Sequence, residues 1–276
     1  SKINANTKLV AVGYASNAVG TINPVKVITK LAHAAGALVY IDAVHYGPHG
    51  LIDVAALDCD FLACSTYKFF GPHMGVLFGK REHLKRFQPY KVRPNTNAIP
   101  NCWEWGTLNH ECIAGITACV EYIADLGRHV LFEMRVAHPT RFSLGGDEPQ
   151  PSERRAAIEA AYAAIHDHER ALTERLIAGL KEIPGAKIYG ITDPARFNDR
   201  CGTFAIRIEG HTPLELCTKL SERGVFTWDG NYYALNLTEH LDVEKSGGFL
   251  RIGLVHYNTT EEVDRLLVAL NEIAKN

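Results

Sequence analysis

Hydrophobic and polar positions divide the first part of the chain into short apolar runs separated by one helical pattern. The runs cover residues 8–14, 37–41 and 60–64, and turn residues bound them. Short continuous runs of this kind are typical of parallel-sheet strands buried on both faces. Between the first two runs, apolar residues three or four apart predict a helix from Pro24 to a terminal Gly36. Strand, helix and strand together make a βαβ unit.

The pattern continues with a strand and two helices. We expect a strand over residues 74–79 and a short helix over residues 81–87. A longer helix is predicted from residue 109 to residue 126, and Gly127 is expected to end it.

A change of composition predicts where the chain divides into domains. Residues 135–152 are rich in Pro, Gly and charge, and we interpret them as a loop between domains. A long helical pattern follows over residues 153–180. After it, strands at 187–190, 202–208 and 249–254 alternate with helices at 213–223, 231–240 and 259–274. We therefore predict a large α/β domain over residues 1–150, with a linking helix and a small α+β domain over residues 151–276.

Composition excludes several classes of function. The 276 residues suffice for two domains, and the formal charge of −2 shows no footprint for nucleic acid or an acidic membrane. No apolar run approaches the length of a membrane span, and the N-terminal stretch does not resemble a signal peptide. The seven cysteines lack zinc-type spacing, so we expect no metal site and free thiols in a reducing cytoplasm.

An acid and a lysine follow two of the predicted strands. Asp42 closes the run at 37–41, and the carboxyl ends of such strands bind ligands in open α/β sheets. A helix cap or a turn is the other interpretation of this acid. Lys68 follows the run at 60–64 beside Tyr67, Phe69 and Phe70. Those rings predict partial desolvation, which favours the neutral amine that forms a Schiff base, whereas the alternative is an ordinary surface lysine.

These motifs occur in an order that resembles a known family. Asp42 and His45 are followed by Ser65, Lys68, Gly71-Pro72 and a Gly-rich hairpin at residues 75–79. Further matching blocks are Ser16-Asn17-x-x-Gly20, Gly106-Thr107 and Arg251 with Tyr257-Asn258-Thr259. Together the blocks resemble the class V branch of the fold-type I pyridoxal phosphate (PLP) enzymes, the cysteine desulfurases and selenocysteine lyases among them. The resemblance implies the aspartate aminotransferase-like PLP-dependent transferase fold, with a mostly parallel sheet in the large domain.

The resemblance also implies roles for single residues. Lys68 would carry PLP as a Schiff base and then act as general acid/base, while Asp42 would hold the pyridinium N–H. His45 would lie beside the phenolic oxygen of the cofactor, Asn17 would contact cofactor and substrate, and Arg251 would clamp the substrate carboxylate. Phosphate contacts would come from Ser65, Tyr67 and Thr107.

Each of these side chains also has an ordinary interpretation. Asn17 suits a turn, His45 a backbone contact, Thr107 a helix N-cap and Arg251 an exposed strand position. In the family, the hydroxyl at the position of Thr107 reaches the phosphate of the neighbouring subunit. The resemblance therefore implies a homodimer with a shared active site and a small amino acid as substrate.

The chain departs from the family pattern in three places. Desulfurases attack sulfur with a Cys on a loop upstream of the carboxylate Arg, but residues 228–248 contain no Cys, and Cys217 lies on a predicted helix. Tyr67 stands where relatives often carry His. Relatives also carry a phosphate-cradling turn and a stacking ring before the position of Asn17, so we expect this chain to lack an N-terminal segment.

Three functional hypotheses follow. The first is a PLP-dependent enzyme, desulfurase-like in ancestry, with transaminase, lyase or epimerase chemistry on a small amino acid. The second is a non-catalytic or truncated PLP-fold module that dimerises. The third, a Rossmann dehydrogenase, is disfavoured because no Gly-x-Gly-x-x-Gly follows a strand.

Overall fold

The computed structural model describes residues 2–137 and 153–275. Their contacts form two compact units. The first comprises Ser1–Tyr14 and Pro24–Ala161, and the second comprises Ala15–Asn23 and Tyr162–Asn276. Most of the loop predicted at 135–152 lies outside the described residues. Within the described ranges, no helix has the length and apolarity to cross a bilayer.

The first unit contains a four-stranded sheet. Its strands are β1 (Leu9–Gly13), β2 (Leu38–Asp42), β3 (Phe61–Ser65) and β4 (Gly75–Gly79), in that spatial order. β1, β2 and β3 run parallel, whereas β4 pairs with β3 in the antiparallel sense. The mostly parallel sheet predicted for the large domain is therefore present.

One face of this sheet carries the core of the first unit. Helices α1 (Val25–Ala34) and α2 (Val54–Leu57) pack on Val39, Ile41 and Leu62. The opposite face of β2 is only half-buried at Tyr40 and exposed at Asp42, so the prediction of burial on both faces is wrong. The reason is that both core helices cover the same face.

The first unit also contains one short helix, one long helix and the start of a second long helix, which passes into the second unit after Ala161. Helix α3 is Arg81–Arg86, α4 is His110–Ala137, and α5 is Glu153–Lys181. Gly127 does not end α4 as predicted, because the helix continues to Ala137. A β-carbon at Gly127 would lie 1.7 Å from the Ala157 carbonyl oxygen of α5. The glycine instead permits a close approach of two helix backbones.

A buried carboxylate, Asp60, directly precedes β3, at the end of the parallel strands opposite to Asp42. Asp60 accepts hydrogen bonds from His33 Nε2 at 2.9 Å, His83 Nε2 at 2.8 Å and the Val39 N–H at 2.8 Å. Burial alone would raise the pKa of Asp60, but these donors and the charge of Lys80 lower it to about 2. The carboxylate therefore joins the start of β3 to α1, β2 and α3.

The second unit is built on an antiparallel sheet. Its strands are β5 (Ala186–Tyr189), β6 (Thr203–Ile208), β7 (Trp228–Gly230) and β8 (Phe249–Gly253), in the order β5-β6-β8-β7. The helices are α6 (Pro213–Ser221), α7 (Leu235–His240) and α8 (Thr260–Ala274). Capping boxes at Thr212 and Thr259 begin α6 and α8.

Each face of the second sheet has its own apolar cluster. One face packs against α5, α6 and α8 through Leu176, Leu180, Leu216, Leu220, Leu266 and Leu270. On the other face Ala18 and Val19 pack with Tyr232 and Phe249. The helix predicted at 231–240 begins only at Leu235, because Tyr232 and Tyr233 adopt φ values of 53° and 64°.

Replacing Gly127 by Ala should destabilise the protein. We expect the free energy of unfolding to fall by about 2 kcal/mol, because two helix backbones must separate. Chemical denaturation of the full chain measures this. Gly115→Ala on the same helix is the control, since its β-carbon would meet only the Pro72 side chain at 3.1 Å. Equal stability of the two variants would contradict the interpretation of Gly127.

The stability contributed by Asp60 should depend on pH. Its folded pKa of about 2 lies below the ordinary 3.8, so the contribution is present above pH 3.8 and is lost as the pH falls through about 2. At neutral pH, Asp60→Asn should lower the free energy of unfolding by about 2 kcal/mol. Urea denaturation across this pH range should show the difference from the parent shrinking in acid.

The control for this experiment is Asp125→Asn, which removes an exposed surface carboxylate paired with Arg128. We expect a loss within about 1 kcal/mol. A difference between Asp60→Asn and the parent that stays constant down to pH 2 would show that the charge of Asp60 does not stabilise the fold.

Candidate active site

Asp42 ends β2 with one carboxylate oxygen in a turn. Its Oδ1 accepts the Val44 N–H at 3.0 Å, and its backbone oxygen accepts the Tyr14 N–H at 2.7 Å. Within residues 2–137 and 153–275, Oδ2 has no protein donor. The turn interpretation therefore describes one oxygen, while the second remains open to a ligand.

The segment after Asp42 is held by stacked rings. Tyr46 stacks on Tyr14 with centroids 3.9 Å apart and planes 14° apart. His45 is half-buried, and its ring lies edge-on to His49 at 5.3 Å. These contacts hold the segment that follows β2 beside the end of β1.

The lysine lies in a tight turn held by Thr66. A 3₁₀ turn, Thr66–Phe69, follows β3 directly. Thr66 is fully buried, its N–H donates to the Met74 oxygen at 2.8 Å, and its hydroxyl faces the carbonyls of Pro72 and Met74. Gly71 N–H donates to the Thr66 oxygen at 2.9 Å. Sequence reasoning missed Thr66, although its buried hydroxyl holds the turn together.

Helix α4 supports the same turn. Cys119 Sγ donates to the Phe69 oxygen at 2.9 Å, and the Phe70 ring meets Tyr122 edge-on at 5.9 Å. Phe70 adopts φ 76°, a left-handed conformation that a bulky residue rarely takes. These features agree with the constrained turn that the sequence predicts around Lys68.

The predicted desolvation of Lys68 is wrong. Lys68 and Tyr67 are exposed, and the Lys68 amine lies 5.4 Å from the centroid of the Tyr67 ring. Phe69 packs beside Gly47 and Phe70 against Tyr122, so neither ring covers the amine. Tyr67 itself stacks on His73 at 4.4 Å. In the described part of the chain, the amine makes no hydrogen bond or ion pair.

Ser65 and Thr107 lie at different places relative to this turn. Ser65 is the last residue of β3, is half-buried, and has no hydrogen-bond partner for its hydroxyl among the described residues. Thr107 is exposed before α4. The N-cap interpretation of Thr107 is wrong, because the Asn109 side chain accepts the Cys112 N–H at 3.0 Å and caps the helix instead.

Asn17 belongs to the second unit. The Ser16 hydroxyl accepts from the N–H groups of Ala18 at 3.3 Å and Val19 at 3.2 Å, which forms a tight turn. Asn17 Nδ2 donates to the backbone oxygen of Tyr232 at 2.8 Å. Its second N–H and its amide oxygen have no hydrogen-bond partner in the part of the chain that the structure describes.

Arg251 also belongs to the second unit, on β8. It is half-buried between Ala205 of β6 and Trp228 of β7, so the exposed-strand interpretation does not hold. Its guanidinium carbon lies 5.4 Å from the centroid of the Tyr232 ring. Burial lowers the pKa of Arg251. None of the carboxylates in the described residues pairs with it, which leaves its charge available to an anion.

A second buried arginine makes the contrast clear. Arg200 donates to the backbone oxygens of Ile191 and Cys201 and to that of Thr203, at 2.5, 3.3 and 2.6 Å. Burial lowers the pKa of Arg200 to about 10. The guanidinium of Arg200 is thus hydrogen-bonded to backbone oxygens, whereas that of Arg251 makes no such bond among the described residues.

Comparison with known proteins decides the family. A family model described as aminotransferase class-V matches residues 1–133 and 155–266. The chain belongs to the class V aminotransferase family.

Individual relatives agree with this assignment. A protein named cysteine desulfurase from Serratia proteamaculans is 30% identical over 99% of this chain and 60% of its own length. An aminotransferase-like protein from Gibberella zeae is 29% identical over 99% of this chain and 61% of its own. The chain thus spans about 60% of the length of the relatives it matches.

Solved structures show the same fold. The cysteine desulfurase CsdA from Escherichia coli has a TM-score of 0.76 and 25% identity, covering 99% of this chain and 60% of its own. The α/β fold of the PLP-dependent transferases, predicted from the motifs, is therefore confirmed.

The cofactor of the class V family is PLP, and the first unit contains residues that fit it. The Lys68 amine has no ion-pair partner in the described part of the chain, and Asp42 keeps one open oxygen. Asp42 ends β2 and Lys68 lies in the turn after the parallel strand β3, with the Ser65 hydroxyl between them in sequence. These groups lie at the carboxyl ends of β2 and β3. The amine suits the aldehyde of PLP, the carboxylate suits its pyridine nitrogen, and the hydroxyl suits its phosphate.

Burial shifts the pKa of four of the seven cysteines. Burial raises the pKa of Cys59, Cys64 and Cys119, and most strongly that of Cys201. Cys217 lies on α6, half-buried, with Sγ 3.2 Å from the Thr227 oxygen. Reactive thiols need a low pKa and access to solvent, so Cys59, Cys64, Cys119 and Cys201 suit packing. Among the described residues, no group of three or more His, Cys, Asp or Glu side chains could hold a metal ion.

Proposed function

We propose that this chain is the part of a PLP-dependent enzyme that binds the cofactor ring and a small amino acid. The observation that carries the proposal is the placement of Asp42 and Lys68 at the carboxyl ends of two neighbouring parallel strands. Ligands bind at this end of parallel α/β sheets. The function is desulfurase-like in ancestry, but its chemistry is that of a transaminase, lyase or epimerase.

In this proposal the first unit holds the cofactor. Lys68 would hold its aldehyde, the open oxygen of Asp42 would accept the pyridinium N–H, and His45 would serve the phenolic oxygen. Ser65 and Tyr67 would donate to the phosphate, and Thr107 would do so in a neighbouring subunit of a homodimer. When bound, PLP supplies an electron sink for charge that develops at the substrate α-carbon.

Lys68 has a second role in this proposal. An amine without an ion-pair partner among the described residues can hold or accept a proton, and we assign it as the general acid/base at the α-carbon. The neighbouring Tyr67 ring limits where the amine can point.

Substrate recognition is assigned to the second unit. Arg251 carries an unpaired charge among the described residues and a planar fork that suits a carboxylate. Asn17 adds an amide beside the same tyrosine. Relatives named cysteine desulfurase indicate a small amino acid as substrate. We do not assign attack on sulfur, because residues 228–248 contain no Cys.

Visible absorption tests whether the full chain binds PLP through Lys68. Added PLP should give the parent an absorbance band of a protein-bound Schiff base, and Lys68→Ala should abolish it because the amine is lost. Lys26→Ala, at an exposed position on α1, is the control and should keep the band. A parent without a band, or a band retained in Lys68→Ala, would contradict the proposal.

Asp42→Asn tests the role of the carboxylate. The substitution keeps an oxygen that can accept the Val44 N–H but removes the charge beside the ring nitrogen. The absorbance band should remain, while kcat should fall by roughly 10²-fold, as expected when a key electrostatic partner is lost. Asp53→Asn, at the cap of α2, is the control. A kcat equal to that of the parent would exclude Asp42 from catalysis.

A further inference from the structure

Tyr232 contacts both residues that we assign to the substrate carboxylate. Its backbone oxygen accepts from Asn17 Nδ2 at 2.8 Å, and its ring lies 5.4 Å from the Arg251 guanidinium carbon. Asn17 and Tyr232 are 215 residues apart in the chain. One residue, through its backbone oxygen and its ring, thus joins two sequence blocks that have no local connection.

Tyr232 itself is held firmly. It is 6% exposed and adopts φ 53°, and its hydroxyl donates to the Phe249 oxygen on β8. Burial raises the pKa of the phenol, so the hydroxyl keeps its proton and remains a donor. Left-handed conformations of bulky residues cluster at functional sites, where the surrounding structure maintains them.

The segment around Tyr232 is equally constrained. We call residues 231–244 the strap. Within it, Asn231 accepts the Tyr233 N–H at 3.1 Å and donates to Glu244 at 3.0 Å, and the Thr238 hydroxyl donates to the same carboxylate. Next to the strap, a β-carbon on Gly248 would lie 2.2 Å from the Gly230 oxygen. The strap is therefore a closed, hydrogen-bonded element.

We propose that Tyr232 is a positioning residue, whose ring orients the Arg251 guanidinium for a carboxylate while its carbonyl orients Asn17. An arginine without an anionic partner would otherwise sample many rotamers, and an aromatic face restricts them. Residues 228–248 contain no Cys, and Tyr232 is a buried aromatic residue within them. This inference rests on the proposed function, because it takes the carboxylate of an amino acid as the ligand.

A purely structural role for Tyr232 makes a different prediction. Its ring also packs with Ala18, Val19 and Phe249, so a merely structural residue would affect stability alone. A positioning residue must change carboxylate binding in a protein that remains folded. Tyr232→Phe keeps the ring, whereas Tyr232→Met fills similar space without a π face.

Chemical modification of Arg251 tests the inference without turnover. The full chain is treated with phenylglyoxal, which modifies arginine, at increasing propionate concentration, and Arg251 modification is read by peptide mass spectrometry. Propionate should protect Arg251 in the parent. Tyr232→Met should need about tenfold more propionate, and Tyr232→Phe should match the parent within about twofold.

Tyr233→Met is the matched control, because Tyr233 shares the left-handed backbone but is fully exposed. It should match the parent. Protection in Tyr232→Met equal to that in Tyr233→Met would overturn the inference. If Tyr232→Met fails to melt cooperatively, Tyr232→Leu replaces it, with the same roughly tenfold loss of protection expected because the π face is removed, and protection equal to that in the parent would overturn the inference.

Steady-state kinetics with added PLP separates this inference from the proposed function. Tyr232→Met should raise KM for a small amino acid about tenfold with little change in kcat, because uniform binding is lost. If Arg251→Ala leaves KM unchanged, the assigned carboxylate site fails. If Arg251→Ala raises KM but Tyr232→Met does not, only the role of Tyr232 fails.

Discussion

The parallel pairing of β2 with β3 is the constraint on which the candidate active site depends. Asp42 lies opposite Ala63, so the acid and the turn that follows Ser65 emerge at the same edge of the sheet. A shift of one residue would move every side chain of β2 to the other face. The core residues Val39 and Ile41 oppose such a shift, because they would leave the cluster beneath α1 and α2.

In each unit, a buried and hydrogen-bonded residue supports a candidate functional side chain that has no hydrogen bond or ion pair among the described residues. Thr66 holds the turn of Lys68 through the carbonyls of Pro72 and Met74. Tyr232 lies beside Arg251 and is itself held by Phe249. In each pair the supporting side chain is hydrogen-bonded and buried, while the functional one has no hydrogen bond or ion pair among the described residues. Preorganised sites need this division, because a loosely held group pays ordering entropy on binding.

The buried charged side chains of this chain differ in whether they have partners within the protein. Asp60 is buried with several donors, and Arg200 is buried against backbone carbonyls, so both stabilise their surroundings. The hydrogen-bonding groups of Asp60 and Arg200 are therefore already engaged within the protein and do not suit a ligand. Arg251 differs because burial raises the cost of its charge while no described carboxylate offsets that cost. A substrate carboxylate would provide the missing partner.

The sequence alone determined the order of most elements and the blocks that identify the family. Strand and helix periods, Gly36 after α1 and the motif residues around Asp42 and Lys68 are local signals, readable within a few residues of one another. Only the tertiary structure decided that Gly127 admits a neighbouring helix, that the Phe69 and Phe70 rings pack away from Lys68, and that Tyr232 joins Asn17 to Arg251. These features depend on contacts between residues distant in the chain. Such contacts leave no periodic pattern in the amino-acid sequence, because each is set by where two separately formed elements meet.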